Sequence, residues 1–160
     1  MTQPTQIRQA TPADLPALAD LWYQGWQEAH AAHVPAELTA QRSHDSFFTR
    51  LQNLPNTHIL GPTNAPLGLC VLRNNEVYQF YVSPAARGTG TAQILIAFGE
   101  AGLHAAGHEV AQLEVIPQNL RAIAFYEKAG WVKQGIETIL LDTLGEPFPL
   151  PCQIMTKRLR

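Results

Sequence analysis

The chemistry of this chain begins at residues 82–92, VSPAARGTGTA, where Arg87, Gly88, Gly90 and Ala92 lie between an apolar run ending at Val82 and a helically spaced stretch, QILIAFGEAGLHAAG. Strand, small-residue loop and helix in that order make an anion site. Glycines permit positive φ and leave no side chain in the way, so successive backbone N–H groups converge on an anion at the positive end of the helix dipole. The pattern predicts phosphate binding by the main chain at residues 87–92. Two familiar phosphate loops do not match it. The P-loop ends in Gly-Lys-Ser/Thr, whereas Gly90 is followed by Thr91 and Ala92, and the loop holds no lysine. The dinucleotide fingerprint needs a third glycine where Gln93 stands, and Glu109 or Glu114 would serve as its ribose acid only by accident of spacing.

Two further sets of reactive side chains invite a reading. His30 and His33 are three apart and share a face of a predicted helix, which is a metal-ligand spacing. No third ligand accompanies them at a definite spacing, and His44, His58, His104 and His108 are scattered, so no metal site is expected. Cys70 and Cys152 lie far apart, fit neither a disulfide framework nor a metal motif, and have no neighbouring base in sequence. They read as free thiols in strands, outside any covalent route.

The elements that must hold these groups follow from periodicity. With 160 residues the chain suits one core, and one domain over 1–160 is expected. A first strand at QIRQA precedes a helix in which Thr11 or Asp14 caps, Pro12 or Pro16 suits the first turn, and Leu15, Leu18, Leu21, Trp22 and Trp26 form an apolar stripe. After Pro35, the segment AELTAQRSHDSFFTRLQNL predicts a second helix. Three short apolar runs, THILGP, PLGLCVLR and EVYQFYVSP, separated by TNA and NN, predict an antiparallel meander. Beyond the phosphate loop and its helix come a strand at EVAQLEVI, a helix at NLRAIAFYEKAG, and two strands, WVKQGIETILL and PCQIMTKRL, joined by the proline-rich DTLGEPFPLP. The order is βααβββαβαββ, an α+β fold with a mixed, mostly antiparallel central sheet flanked by helices.

Bulk properties narrow the partners. A formal charge of −2 and a pI near 6.3 give no electrostatic footprint for nucleic acid. The apolar stretches fall short of the roughly 20 residues that span a bilayer, so no membrane partner and a cytoplasmic location are expected.

The loop Arg-x-x-Gly-x-Ala after a strand ending YVSP, followed about thirty residues later by NLRAIAFYEKAGW, resembles the GCN5-related N-acetyltransferase (GNAT) family. The element order is similar to that family's fold over essentially the whole chain. The resemblance implies that the loop cradles the pyrophosphate of acetyl-CoA, with the family's motif falling on Arg87, Gly90 and Ala92, Gly88 as filler, and Thr89 and Thr91 in the same main-chain cradle. It implies that Phe80, Tyr81 and Val82 bind the pantetheine arm through their backbone, with the Val82 N–H polarising the thioester. It implies that Tyr126 protonates the departing thiolate and that Asn119 contacts the cofactor, although Asn119 also suits a helix cap. Glu76 stands where many relatives carry a base, and strand alternation predicts that it shares a face with Tyr78, Phe80 and Val82. A carboxylate there becomes a competent base if desolvation raises its pKa.

The acceptor pocket implied by the resemblance lies where the first two helices meet, among Trp22, Trp26, His30, His33 and Pro35. The same residues are equally suited to packing the helices together, and the connection from Asp142 to Pro151 is a candidate for the opposite wall. The expected reaction is direct transfer of an acetyl group from acetyl-CoA, as cosubstrate, to a primary amine of a small molecule. Two alternatives stand beside it: a catalytically silent acyl-CoA-binding module, and an N-acetyltransferase acting on a peptide or protein amine. Relatives commonly dimerise through their last strands, which makes a homodimer one of the open assembly states.

Overall fold

Helix starts and stops are set by local chemistry. A computed structural model describes residues 6–160, and the polar lead over 1–5 lies outside the described residues. Strand β1 (Ile7–Gln9) leads into a short 3-10 turn at Pro12–Asp14, where proline needs no N–H, and then into helix α1 (Leu15–His30). The turn is fastened by Asp14, which is fully buried. Its carboxylate accepts from the Thr11 N–H at 2.7 Å and hydroxyl at 3.0 Å, and from both terminal nitrogens of Arg8 at 2.7 and 2.9 Å. Arg8 therefore holds the Asp14 carboxyl well below the usual carboxylate range.

The predicted second helix is two. Helix α2 (Ala36–Gln41) ends at Arg42, and α3 (His44–Gln52) restarts with Ser43 as its cap, the Ser43 hydroxyl accepting from the Ser46 N–H at 3.1 Å. A serine inside a helical pattern is a competing cap, and here it breaks the run. The described order is thus one helix richer than βααβββαβαββ.

Strands β2 (Thr57–Leu60), β3 (Gly68–Arg73) and β4 (Glu76–Val82) form the antiparallel meander. Helix α4 (Thr91–Ala105), strand β5 (Val110–Val115), helix α5 (Leu120–Lys128) and strands β6 (Val132–Leu141) and β7 (Phe148–Arg158) follow. The seven strands make one sheet in the order β1-β2-β3-β4-β5-β7-β6, antiparallel except where β4 meets β5. The last strand begins earlier than its sequence suggests. Pro149 and Pro151 pair with Leu140 and Thr138 on β6, while β5 meets β7 only from Gln153 onward, so the two prolines sit where β7 has no second neighbour to receive an N–H.

Two apolar layers sandwich this sheet. One, under α4 and α5, gathers Cys70, Leu72, Val77, Leu95, Leu113, Ile123, Tyr126 and Trp131; the other, under α1, α2 and α3, gathers Leu18, Trp22, Leu38, Phe47, Leu69 and Val71. Both cysteines are buried free thiols. No described helix is long and apolar enough to cross a membrane.

Candidate active site

The site is built around a split in the sheet. Strands β4 and β5 share a single register pair, Glu76 with Gln112, and then part. Beyond that point one edge of each strand has no ladder partner. A cavity of about 1080 Å³ fills the gap, bounded by β4, β5, α1, the loop before α4, the start of α5 and the end of β6. Backbone edges that face a cavity need another source of hydrogen bonds, and an extended amide-bearing ligand provides one.

At one end of the cavity stands the small-residue loop. A 3-10 turn at Pro84–Ala86, capped by the Ser83 hydroxyl accepting from the Ala85 N–H at 3.1 Å, turns the chain away from β4. Gly88 and Gly90 both take positive φ, at 75° and 84°, and a Cβ on either would meet no atom within 4 Å. These glycines answer a backbone need and leave the mouth of the loop open. The N–H groups of Arg87 and Thr89 are engaged by the carbonyl oxygens of Pro84 and Ala86 at 3.2 and 3.3 Å. Those of Gly88, Gly90, Thr91 and Ala92 have no acceptor among the described residues. Four free donors at the N-terminus of a 15-residue helix make an anion cradle, narrower than the six amides the sequence suggested.

The Arg87 guanidinium is held by the Glu28 carboxylate of α1, which also lies 3.6 Å from Arg121 at the start of α5. The Thr89 hydroxyl donates to the Ala86 carbonyl and lies 2.7 Å from the Thr91 hydroxyl. Thr89 and Thr91 therefore brace the loop, and neither lines the cavity. Arg87, Gly88, Gly90 and Ala92 do, as do Phe80, Tyr81 and Val82.

Opposite the loop, α5 brings two polar groups to the wall. The Asn119 side-chain oxygen caps α5 by accepting from the Ala122 N–H at 3.3 Å, which leaves its amide nitrogen for the cavity. Tyr126 packs against Phe80, Phe125 and Trp131, with ring centroids 6.1, 5.4 and 6.2 Å away. Its hydroxyl has no partner among the described residues, and burial pushes its pKa upward, so it stands as a neutral proton donor.

Strand β4 does not alternate regularly. Val71 pairs with Gln79 and Leu72 with Val77, so Tyr78 is an extra residue, a β-bulge. The predicted common face of Glu76, Tyr78, Phe80 and Val82 is split by it. Phe80 and Val82 pack with the α4 and α5 layer, whereas Tyr78 and Tyr81 pack with the α1 to α3 layer. Helix α1 rides on Tyr81 at Gly25, where an added Cβ would stand 2.4 Å from the ring.

Glu76 sits at the fork rather than in the cavity wall, and its carboxyl interacts with that of Glu114 on β5. Burial raises both. Glu114, which does line the cavity, is pushed up to about 7, first by desolvation and then by the charge of Glu76. Sequence reasoning missed Glu114 as an acid-base group because the pairing of β4 with β5 cannot be read from either strand alone. The alternation of VAQLEV, with Ala111, Leu113 and Val115 buried, does place Glu114 on the face opposite that layer.

Trp26, His30 and His33 line the cavity from α1 and the turn after it. His30 stacks on Trp26 at 5.2 Å, lies 3.3 Å from the Trp26 carbonyl oxygen, and is lowered by burial to about 4, which keeps it neutral. No cluster of metal-binding side chains occurs among the described residues. Cys152 reaches the cavity, but burial lifts its thiol to about 11, and that of Cys70 to about 12, so neither offers a thiolate near neutral pH.

A family pattern matches most of the chain, and solved structures share its fold. The pattern of the acetyltransferase (GNAT) family matches residues 15–131. A GCN5-related N-acetyltransferase structure from Rhodopseudomonas palustris superimposes with a TM-score of 0.75 at 24% identity, covering 99% of this chain and 98% of that one. The PaiA N-acetyltransferase of Thermoplasma acidophilum, solved in complex with coenzyme A, gives 0.64 at 19% identity over 96% and 98%. YncA of Salmonella typhimurium, solved with its cofactor acetyl-CoA, gives 0.66 at 16% identity over 97% and 94%. Identities this low show the shared fold. No curated protein matches the chain in sequence.

Proposed function

The chain belongs to the acetyltransferase (GNAT) family, and we propose that it moves an acetyl group from acetyl-CoA to a primary amine of a small molecule by direct attack in a ternary complex. One observation carries this reading: three unengaged loop amides, those of Gly88, Gly90 and Ala92, a neutral buried tyrosine and a carboxyl raised to about 7 all border one cavity. The loop donors of Gly88, Gly90, Thr91 and Ala92, with Arg87, suit a diphosphate. The unpaired edge of β4 at Phe80, Tyr81 and Val82 suits an amide-bearing arm leading inward, and the Asn119 amide nitrogen can donate to it.

An amine must be neutral to attack an acyl carbon. In this reading the Glu76–Glu114 pair takes the amine proton, directly or through water, as the new C–N bond forms. A main-chain N–H of β4, Val82 by position, meets the developing oxyanion. The C–S bond then breaks, and the departing thiolate takes the proton of the Tyr126 hydroxyl. Apolar neighbours Phe80, Phe125 and Trp131 keep that proton on the tyrosine until a thiolate appears. The high thiol pKa of Cys152 argues against an acyl-enzyme route.

The test is thiol release from acetyl-CoA against an amine panel, with Tyr126→Phe beside the parent. Loss of a general acid lowers kcat by about 100-fold or more while leaving coenzyme A affinity unchanged. Acetyl-CoA binding with no thiol released for any amine, or equal rates in parent and variant, overturns the proposal.

A further inference from the structure

The part of the cavity wall supplied by the end of α2 and by α3 carries positive charge with too few acids to meet it. Arg42, just after α2, and Arg50, on α3, are 4% and 8% exposed, and both line the cavity. Neither forms a salt bridge with a carboxylate among the described residues. The Arg42 guanidinium donates to the Asp142 backbone carbonyl at 2.6 Å, and its Nε is buried with no partner. The Arg50 guanidinium donates to the Tyr78 hydroxyl at 2.8 Å and lies over the Trp22 ring at 4.6 Å. The nearest carboxylate, Asp142, is already taken: it accepts from Tyr78 at 2.5 Å and pairs with Arg73 at 2.9 Å.

Two buried guanidiniums that share one carboxylate, itself directly paired with Arg73, are expensive to keep, because removing an ion from water is compensated only by a paired opposite charge. Their hydrogen bonds to the Asp142 carbonyl and the Tyr78 hydroxyl use only part of each guanidinium's donors. The Arg fork, planar and always charged, is suited to an oxyanion held by two parallel N–H donors.

We infer that the acceptor is an amine whose far end is an oxyanion, a carboxylate or a phosphate monoester, seated on Arg42 and Arg50 so that its amino group points back toward Glu114. The inference rests on the transferase reading for the word acceptor, but the binding it asserts does not. The two arginines and Glu114 line the same cavity, so one small molecule spans them: the oxyanion fixes its orientation and the amine reaches the base. Neutral amines of equal length leave the two arginines unmet, and that is the source of discrimination.

The experiment measures binding to the full chain saturated with coenzyme A by titration calorimetry, and thiol release from acetyl-CoA in parallel. The probes are free α-amino acids against their amides and their decarboxylated amines, and phosphoethanolamine against ethanolamine. At least one oxyanion-bearing amine binds roughly tenfold to a hundredfold tighter than its neutral partner, the range for hydrogen bonds to charged groups. Which pair shows the difference tells carboxylate from phosphate. Arg42→Gln and Arg50→Gln abolish that preference while coenzyme A still binds; should either variant fail to fold, the comparison of paired ligands on the parent protein decides alone. Equal or tighter binding of the neutral partners, or no binding of any oxyanion amine at millimolar concentration, overturns the inference. Selective binding without thiol release upholds it and removes the transferase reading instead.

Discussion

Replacing Glu114 by glutamine tests the carboxyl pair at the fork of the sheet. In the folded chain Glu114 is raised from an ordinary 4.5 to about 7 by burial and by the charge of Glu76. Below pH 4.5 folded and unfolded chains both hold the proton, and the group is neutral in both. Between 4.5 and about 7 the unfolded chain releases it while the folded chain keeps it, so the stability Glu114 provides as a neutral donor is lost as pH rises through that window. The difference between 4.5 and about 7, at about 1.4 kcal/mol per pH unit, caps the loss near about 3 kcal/mol. Glutamine cannot titrate. Urea unfolding of both proteins from pH 4.5 to 8.5 should therefore show the parent falling relative to Glu114→Gln by up to about 1–2 M in midpoint, taking a slope of about 2 kcal/mol per molar. The difference curve also cancels His30, whose lowered pKa makes stability rise with pH between about 4 and 6.5 in parent and variant alike. A difference that stays flat across the range would refute the coupled, buried pair and with it the proposed base.

Three other outcomes follow from the geometry. Glu28→Gln frees Arg87 and Arg121 for an incoming diphosphate; since all three are substantially exposed, coenzyme A binding by calorimetry tightens by no more than about fivefold, and weaker binding would contradict the competition. Gly90→Ala forces a side chain into a φ of 84° with no steric neighbour, so it destabilises by backbone strain alone, about 1–2 kcal/mol, read as a fall of roughly 2–8 °C in Tm. Asp14→Asn removes the buried acceptor shared by Arg8 and Thr11 and lowers stability by about 2–4 kcal/mol at pH 7, a gap that closes as pH falls below the carboxylate range, because a lowered folded pKa contributes stability only above it.

The element order was largely legible because apolar spacing, prolines and capping residues act over a few residues. Thr11, Asp14, Pro12 and Pro16 mark the entry to α1, and Asn119 and Gly130 bracket α5. The break at Ser43 was hidden by an apolar stripe that continues across it through Leu38 and Phe47. The bulge at Tyr78 was not readable at all, since an extra residue is defined only against the partner strand. The loop at Arg87–Ala92 could be placed from its own letters, whereas Glu114, Arg42 and Arg50 become site residues only when β5, the end of α2 and α3 are brought to one cavity. Long-range pairing is what a local pattern lacks.

The single inserted residue in β4 lets one strand serve two tenants. Upstream of it the strand offers Glu76 to the carboxyl pair; downstream, Phe80 and Val82 turn to the α5 side while Tyr81 faces α1. Flattening the bulge with Tyr78 kept in the ladder would swap every later side chain between the two chambers, sending a phenyl ring among the arginines and a phenol toward Tyr126, whereas excising Tyr78 would leave Phe80, Tyr81 and Val82 opposite the same β3 partners. The bulged pairing of this segment with β3, more than its composition, keeps the two chambers distinct.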